Sequence, residues 1–222
     1  MDFGVCTLQM LKFARRAAVR ALLCMIVLGA CVATSSASGN EPEREVQIRA
    51  AFLLNFVKFT EWPQQAFASE EADFVVAVVG PDPFGRVLEQ TFAALKVQGH
   101  KVVIRRWTIP DRAKFASSEA FEAAVAELRR HIESAHLAYF TLCNQEQLDL
   151  SLKGTDTSSV LTVGSDHRCA VSHTALALDR DGDRVVFYAN VDTLKSLKVR
   201  VSSKVLSLAK RVEGKTPQGD RS

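Results

Sequence analysis

Between residues 43 and 60 the apolar side chains Ile48, Ala51, Phe52, Phe56 and Phe59 recur at intervals of three and four, a spacing that predicts an amphipathic helix. Trp62-Pro63 ends it, because the residue before a proline is pushed out of the helical region. Asn55 stands three residues after Phe52 and four after Ala51, on the same face, so it is expected to be buried and tied to backbone by a hydrogen bond. Phe74-Val75-Val76-Ala77-Val78-Val79 follows as a continuous apolar, β-branched run of strand length, which predicts a central strand buried on both faces.

From there the pattern alternates. Helices are predicted over 83–94, 118–131 and 145–150, and strands over 102–107, 138–142 and 160–163. Such alternation implies an α/β fold with a mostly parallel sheet and helices on its faces. Two further strands, 174–178 and 184–189, flank Asp179-Arg180-Asp181-Gly182-Asp183, and Asp-Gly between apolar runs is a hairpin signal, so the sheet is expected to end in an antiparallel pair. Leu197, Val199 and Val201 alternate like a short strand, whereas Val205, Leu206, Leu208, Ala209 and Val212 have helical spacing, with Ser202 or Ser203 as cap. Residues 213–222 read as a frayed tail. No repeat or linker interrupts the pattern, which predicts one domain over 43–212, a mixed, mostly parallel sheet closed by the C-terminal hairpin.

The composition, 47% hydrophobic and 24% charged over 222 residues, is that of a globular protein and excludes disorder or a disulfide-dense miniature scaffold. The net charge of +3 is unevenly placed: Lys12, Arg15, Arg16 and Arg20 stand against Asp2 in the first 37 residues, and the remainder is balanced. A basic head, the apolar run 21–33 and the small residues Ser35-Ser36-Ala37 form the three parts of a secretory signal peptide, with cleavage expected after Ala37. The apolar run is shorter than the ~20 residues that span a bilayer. Leu28-Gly29-Ala30-Cys31 resembles a lipobox and offers acylation at Cys31 as the alternative exit. A periplasmic location follows, and the balanced body argues against nucleic acid as a partner.

Export leaves two of the five cysteines, Cys143 and Cys169, and an oxidising compartment makes an intramolecular disulfide their expected state. Asp166-His167-Arg168-Cys169, with His173 nearby, matches no metal spacing and no legible nucleophile pair. Asp179-x-Asp181-Gly182-Asp183 opens like a calcium loop, yet its twelfth position is Asn190 where a bidentate Glu is needed. The turn Gly80-Pro81-Asp82-Pro83-Phe84-Gly85 leaves the central strand where α/β proteins bind small ligands, making Gly80, Asp82, Phe84 and Gly85 candidate ligand residues. Asp82 as helix cap and Pro83 at the first helical position explain the same turn structurally. Lys195, Lys198, Arg200, Lys204, Lys210 and Arg211 read as a solvated face, with a partner-facing strip as the alternative. No catalytic, cofactor-binding or metal-binding residue is assigned, so no enzymatic activity is expected.

The stretch from Arg49 to Pro63, with Asn55, Phe56, Lys58, Phe59, Trp62 and Pro63, resembles the N-terminal hallmark of the YfiR-like family of exported bacterial proteins. Phe74 to Gly80, Val160-Leu161-Thr162-Val163-Gly164, and Val186 to Asn190 followed by Leu197 to Leu206 resemble the family's first strand, its "LTV" strand, and its closing strand with Asn190 and the Ser202-capped helix. His173-Thr174 departs from the Gly-Gly pair usual in the family before the last hairpin. The resemblance implies a non-enzymatic, cofactor-free periplasmic repressor. Such a protein binds the sensor region of an inner-membrane diguanylate cyclase, or a related membrane signalling protein, and lowers cyclic-di-GMP output, with an outer-membrane lipoprotein relieving the inhibition. A homodimer is compatible with this. The alternative is a periplasmic small-ligand binding or sensing domain, associated with a transport or sensor system, that uses the turn at 80–85.

Overall fold

The computed structural model describes residues 41–141 and 144–212. The expected signal peptide, Cys31, Cys143 and the tail 213–222 lie outside the described residues. Helix α1 (Glu41–Lys58) leads into a two-residue strand β1 (Thr60–Glu61) and then the predicted central strand β2 (Phe74–Val79). Next come α2 (Val87–Phe92), β3 (Lys96–Val97), β4 (His100–Trp107), α3 (Ser118–Glu133) and β5 (Leu137–Phe140). The chain continues through α4 (Gln145–Leu152), β6 (Leu161–Gly164), α5 (His167–Ser172), β7 (Leu176–Asp181) and β8 (Arg184–Asn190). It ends with α6 (Val191–Ser196), β9 (Arg200–Val201), α7 (Ser203–Leu206) and β10 (Lys210–Val212).

Eight strands form one sheet in the order β10-β8-β7-β6-β5-β2-β4-β3, and β1 pairs with β9 in a small antiparallel sheet of its own. Strands β4, β2, β5, β6 and β7 run parallel, as the βαβ alternation requires, and β8 returns antiparallel to β7. The return is the predicted hairpin, with Asp181 opposite Arg184 and Gly182 at φ +61°, a conformation that a side chain would oppose.

Because strand side chains alternate, β2 supplies both faces of the sheet. Phe74, Val76 and Val78 join Leu137, Tyr139, Leu161 and Val163 in a core against α1 and α2. Ala77 and Val79 join Ala138 and Phe140 in a second core under α3 and α4. The result is a three-layer α/β domain.

Three expectations are corrected. Asn55 is exposed, because α1 buries Ala50, Leu53, Phe56 and Val57. The apolar run from Ala50 to Leu54 surrounds the helix, so spacing alone does not select a face; Asn55 lies two residues from both Leu53 and Val57, about 200° around the axis from each. The closing helix is confined to four residues, Ser203–Leu206, and Lys210–Val212 instead forms a strand parallel to β8. Asp82 does not cap a helix: α2 begins at Val87 after Arg86, and the Asp82 carboxylate accepts from the Phe84 N–H at 2.8 Å within its own turn. Helices α5 and α6 were not predicted, although Asp166 and Asn190 accept backbone N–H bonds as their caps.

Candidate functional site

The hallmark stretch divides into a buried half and an exposed half. Phe56 packs edge-on against Phe187 with ring centroids 5.1 Å apart, and Trp62 meets Phe74 at 4.7 Å. Asn55, Lys58 and Phe59 instead face solvent, Phe59 with 48% of its surface exposed. About half of the residue's surface is thus left uncovered by the fold. The chain beneath it is rigid: the Phe59 carbonyl accepts the Ser202 N–H at 2.8 Å, and Thr60 and Glu61 pair with Val201 and Arg200. Ser202 caps α7, its hydroxyl accepting from the Lys204 N–H at 3.3 Å, and Pro63 is half-buried at the exit. The hallmark thus offers an amide, an ammonium and a ring beside the exposed Arg200 and Lys204.

A second feature lies at the other end of α1. The chain passes from β2 to β4 on one side and later places β5 on the other, so the strand order reverses between β2 and β5. The crevice outside the carboxyl ends of such strands is where open α/β sheets hold ligands. A cavity of about 340 Å³ occupies it, lined by Pro42, Glu45, Val46, Arg49, Pro81, Pro83, Tyr139, Thr141 and Ser165. Arg49 donates from Nε to Glu45 at 2.8 Å and from Nη1 to the carbonyls of Ser165 and Leu178 at 3.0 and 3.3 Å. The Tyr139 phenol lines the same cavity and interacts electrostatically with Arg49. Burial opposes the Arg49 charge, but the neighbouring Tyr139 and Glu45 outweigh it and the pKa is raised. Burial raises the pKa of Tyr139, partly offset by Arg49, so its hydroxyl keeps its proton and is a donor at neutral pH.

The turn after β2 contributes Pro81 and Pro83 to this lining, whereas Gly80, Asp82, Phe84 and Gly85 are absent from it. Gly80 holds φ +106° while its N–H bonds the Trp107 carbonyl at 2.8 Å, and Phe84 is buried against Tyr139 at 5.1 Å. Arg106 clamps the turn from outside, donating to Asp82 and Glu89 at 2.6 Å each and to the Gly85 carbonyl. Its hydrogen bond to Glu89 raises the Arg106 pKa and lowers that of the carboxylate. Asp82 and Gly85 are therefore engaged in shaping the turn. Arg49 opens the hallmark stretch, whereas Tyr139, Thr141 and Ser165 belong to no sequence motif; the topology brings the four together.

His167 contacts Asp179 through a short ring-to-carboxylate hydrogen bond, and burial of Asp179 is outweighed by this bond and by backbone N–H donors, so its pKa falls. His173 pairs with Asp149 at 2.7 Å. Among the described residues no group of three or more metal-ligating side chains converges. Asn190 is buried, its side chain accepting the Thr193 N–H at 3.0 Å. Cys169 is buried and disulfide-bonded. Among the described residues no helix is long and apolar enough to cross a membrane.

Comparison with known proteins finds that a YfiR/HmsC-like family model matches residues 46–210. No curated protein matches. Similar solved structures include a conserved domain protein of Vibrio cholerae O1 biovar El Tor, at 10% identity and TM-score 0.45, covering 76% of this chain and 60% of that one. Another is the ABC domain of Streptococcus pneumonia in complex with L-Trp, at 7% identity and TM-score 0.48, covering 76% and 62%. The chain thus spans about three-fifths of the length of these two structures.

Proposed function

The chain belongs to the YfiR/HmsC-like family, whose members are periplasmic regulators, and from that premise we propose that it represses a membrane signalling protein by binding its periplasmic part. The partner in this reading is an inner-membrane diguanylate cyclase, and the output is a lower level of cyclic-di-GMP. An outer-membrane lipoprotein is the natural antagonist.

The observation that carries the reading is the solvent side of the hallmark helix. Phe59 supplies apolar area, Asn55 a neutral hydrogen-bonding group and Lys58 a cation, all on one exposed face that folding does not use. Aromatic anchors of this kind contribute disproportionately to protein interfaces. Catalysis is not part of the proposal; the polar clusters that the structure brings together are accounted for as caps and ion pairs.

Photo-crosslinking from position 59 in intact cells tests it. The expected result is a covalent adduct with a membrane diguanylate cyclase, together with a rise in cyclic-di-GMP in a Phe59→Asp strain whose protein remains folded. A folded Phe59→Asp protein that forms no adduct and leaves the dinucleotide level unchanged would overturn it.

A further inference from the structure

We propose that the basic strip of Lys195, Lys198, Arg200 and Lys204, with the exposed Leu208 at its end, docks the protein on an anionic phospholipid membrane surface. Docking here deepens the reading of a membrane-borne partner, on which it rests for its setting, by keeping the protein at the bilayer that holds that partner.

Residues 193–209 carry four basic side chains and no acidic one, and all four are exposed. Lys195 reaches Asp192 only at 3.9 Å, and among the described residues Lys198, Arg200 and Lys204 have no carboxylate within 4 Å. The strip is continuous with the hallmark stretch: Thr60 and Glu61 pair with Val201 and Arg200, and the Ser202 N–H bonds the Phe59 carbonyl at 2.8 Å, so the exposed Lys58 adds a fifth cation at its edge. Its acidic neighbours are Asp192, Glu61 opposite Arg200, and Asp156, which accepts the Ser158 N–H at 2.9 Å while the Ser158 carbonyl accepts from the Lys198 N–H at 2.7 Å. Cations stay in excess over these three carboxylates.

Among the described residues the exposed large apolar side chains are Phe59 and Leu208, at 48% and 77% of their surface, and both adjoin this strip. Main-chain bonds from Val205 and Leu206 to Ser202, from Ser207 to Ser203 and from Leu208 to Val205 wind the chain in helical turns. Ser202 and Leu208 are therefore only about 9–12 Å apart along the axis. Lysine is depleted in interfaces between proteins, whose cores are contiguous packed surface, whereas faces that lie on a bilayer combine lysine and arginine with Leu or Phe side chains entering the boundary between headgroups and acyl chains. Four of the five cations here are lysines, and the two apolar side chains stand apart on either side of α7. Ammonium groups on flexible stems suit mobile lipid phosphates, which ask for charge and not for a fixed fork.

Sedimentation of the mature protein with vesicles of phosphatidylcholine alone, and of phosphatidylcholine with about one-third phosphatidylglycerol, tests the assignment. Binding to the anionic vesicles is expected to be at least about tenfold stronger than to the neutral ones, and at least about fivefold weaker when salt rises from about 0.1 to about 0.5 M. The double substitution Lys198→Glu, Lys204→Glu and, separately, Leu208→Asp should each weaken binding at least about fivefold with the unfolding midpoint unchanged, since all three positions are exposed. Asn55→Ala should bind vesicles like the wild type. No binding to anionic vesicles, equal binding to both kinds, or full binding by either folded variant would each overturn the proposal. Absence of vesicle binding together with salt-sensitive binding to the purified periplasmic region of the cyclase would assign the strip to an acidic protein face instead. An adduct from position 59 in cells without vesicle binding would overturn membrane docking alone, and vesicle binding without the adduct would overturn the partner reading alone.

Discussion

The indole Nε1 of Trp62 donates a hydrogen bond to the main-chain carbonyl of His136 across 3.0 Å. That bond ties the exit of the first helix to the residue that begins the second half of the sheet, 74 positions later. The side-chain amide of Gln98 completes the tie: it accepts the Trp62 N–H and donates to the Trp62 carbonyl, both at 2.9 Å, imitating a strand neighbour. Gln98 holds φ +50° in the same turn.

Trp62→Phe is expected to destabilise the fold by about 1–2 kcal/mol and Trp62→Ala by about 3–5 kcal/mol, the difference being buried ring volume. Gln98→Ala should cost about 1–2 kcal/mol through two lost bonds. Urea unfolding checks all three; a Trp62→Phe protein as stable as the wild type would show that the bond contributes nothing net.

Acid should weaken the fold through His136. Its Nδ1 accepts the Val75 N–H at 3.0 Å, so the neutral tautomer carries its proton on Nε2, and protonation of Nδ1 would set two N–H groups against each other. The ring lies 4.6 Å from both Phe67 and Phe74, and Phe67 also stacks on His100 at 3.8 Å. Burial, with His100 as a second and like-charged neighbour, depresses the His136 pKa to about 4 from an ordinary 6.5. A folded pKa below the unfolded one means that the contribution is fully present above pH 6.5 and is lost as pH falls toward 4. Allowing for relaxation around the charged ring, about 1–2 kcal/mol should disappear between pH 7 and 4.5. His136→Phe should be less stable at pH 7 but show a shallower pH slope; an identical slope would assign the acid sensitivity to other groups.

The parts of the fold legible in the sequence are those where one pattern admits one structure. Phe74–Val79 is too short for a helix of that apolarity and has no polar face, so only a central strand fits, and the turn at Gly182 allows little besides a hairpin. The orientation of α1 was not legible, since leucines, alanines and phenylalanines surround it and the choice of face is made by Phe187, more than 130 positions away. Lys210–Val212 became a strand because the edge of β8 was available to pair, a fact of the assembled sheet and not of those three residues. Likewise Arg49 and Tyr139 meet only through the reversal of strand order, and short-range patterns carry no trace of it.

Asn55→Ala is therefore expected to leave the unfolding midpoint within about 0.5 kcal/mol of wild type, as for other exposed positions. Its effect should instead be seen in cells, as weaker repression in the same direction as Phe59→Asp. A loss of more than about 1 kcal/mol would restore the structural role that the sequence pattern suggested.

Cys143 is proposed as the partner of Cys169, which is disulfide-bonded at the start of the helix that leads into the hairpin. Cleavage after Ala37, as proposed from the signal-peptide pattern, would leave these two thiols, and the bond would close a loop of about 27 residues containing α4, β6 and His167. On the chain-entropy argument that closure stabilises the fold by about 3–4 kcal/mol, mostly by restricting the unfolded chain. Cys143→Ser should lower unfolding stability by about that amount and leave one thiol per chain reactive in denaturant without reductant, whereas the wild type shows none. Two reactive thiols in wild-type protein purified from the periplasm would refute the pairing. If the bond also holds α5 in position for repression, the Cys143→Ser strain should raise cyclic-di-GMP at an unchanged protein level. A measured loss of stability with an unaltered dinucleotide level would make the bond a structural staple alone.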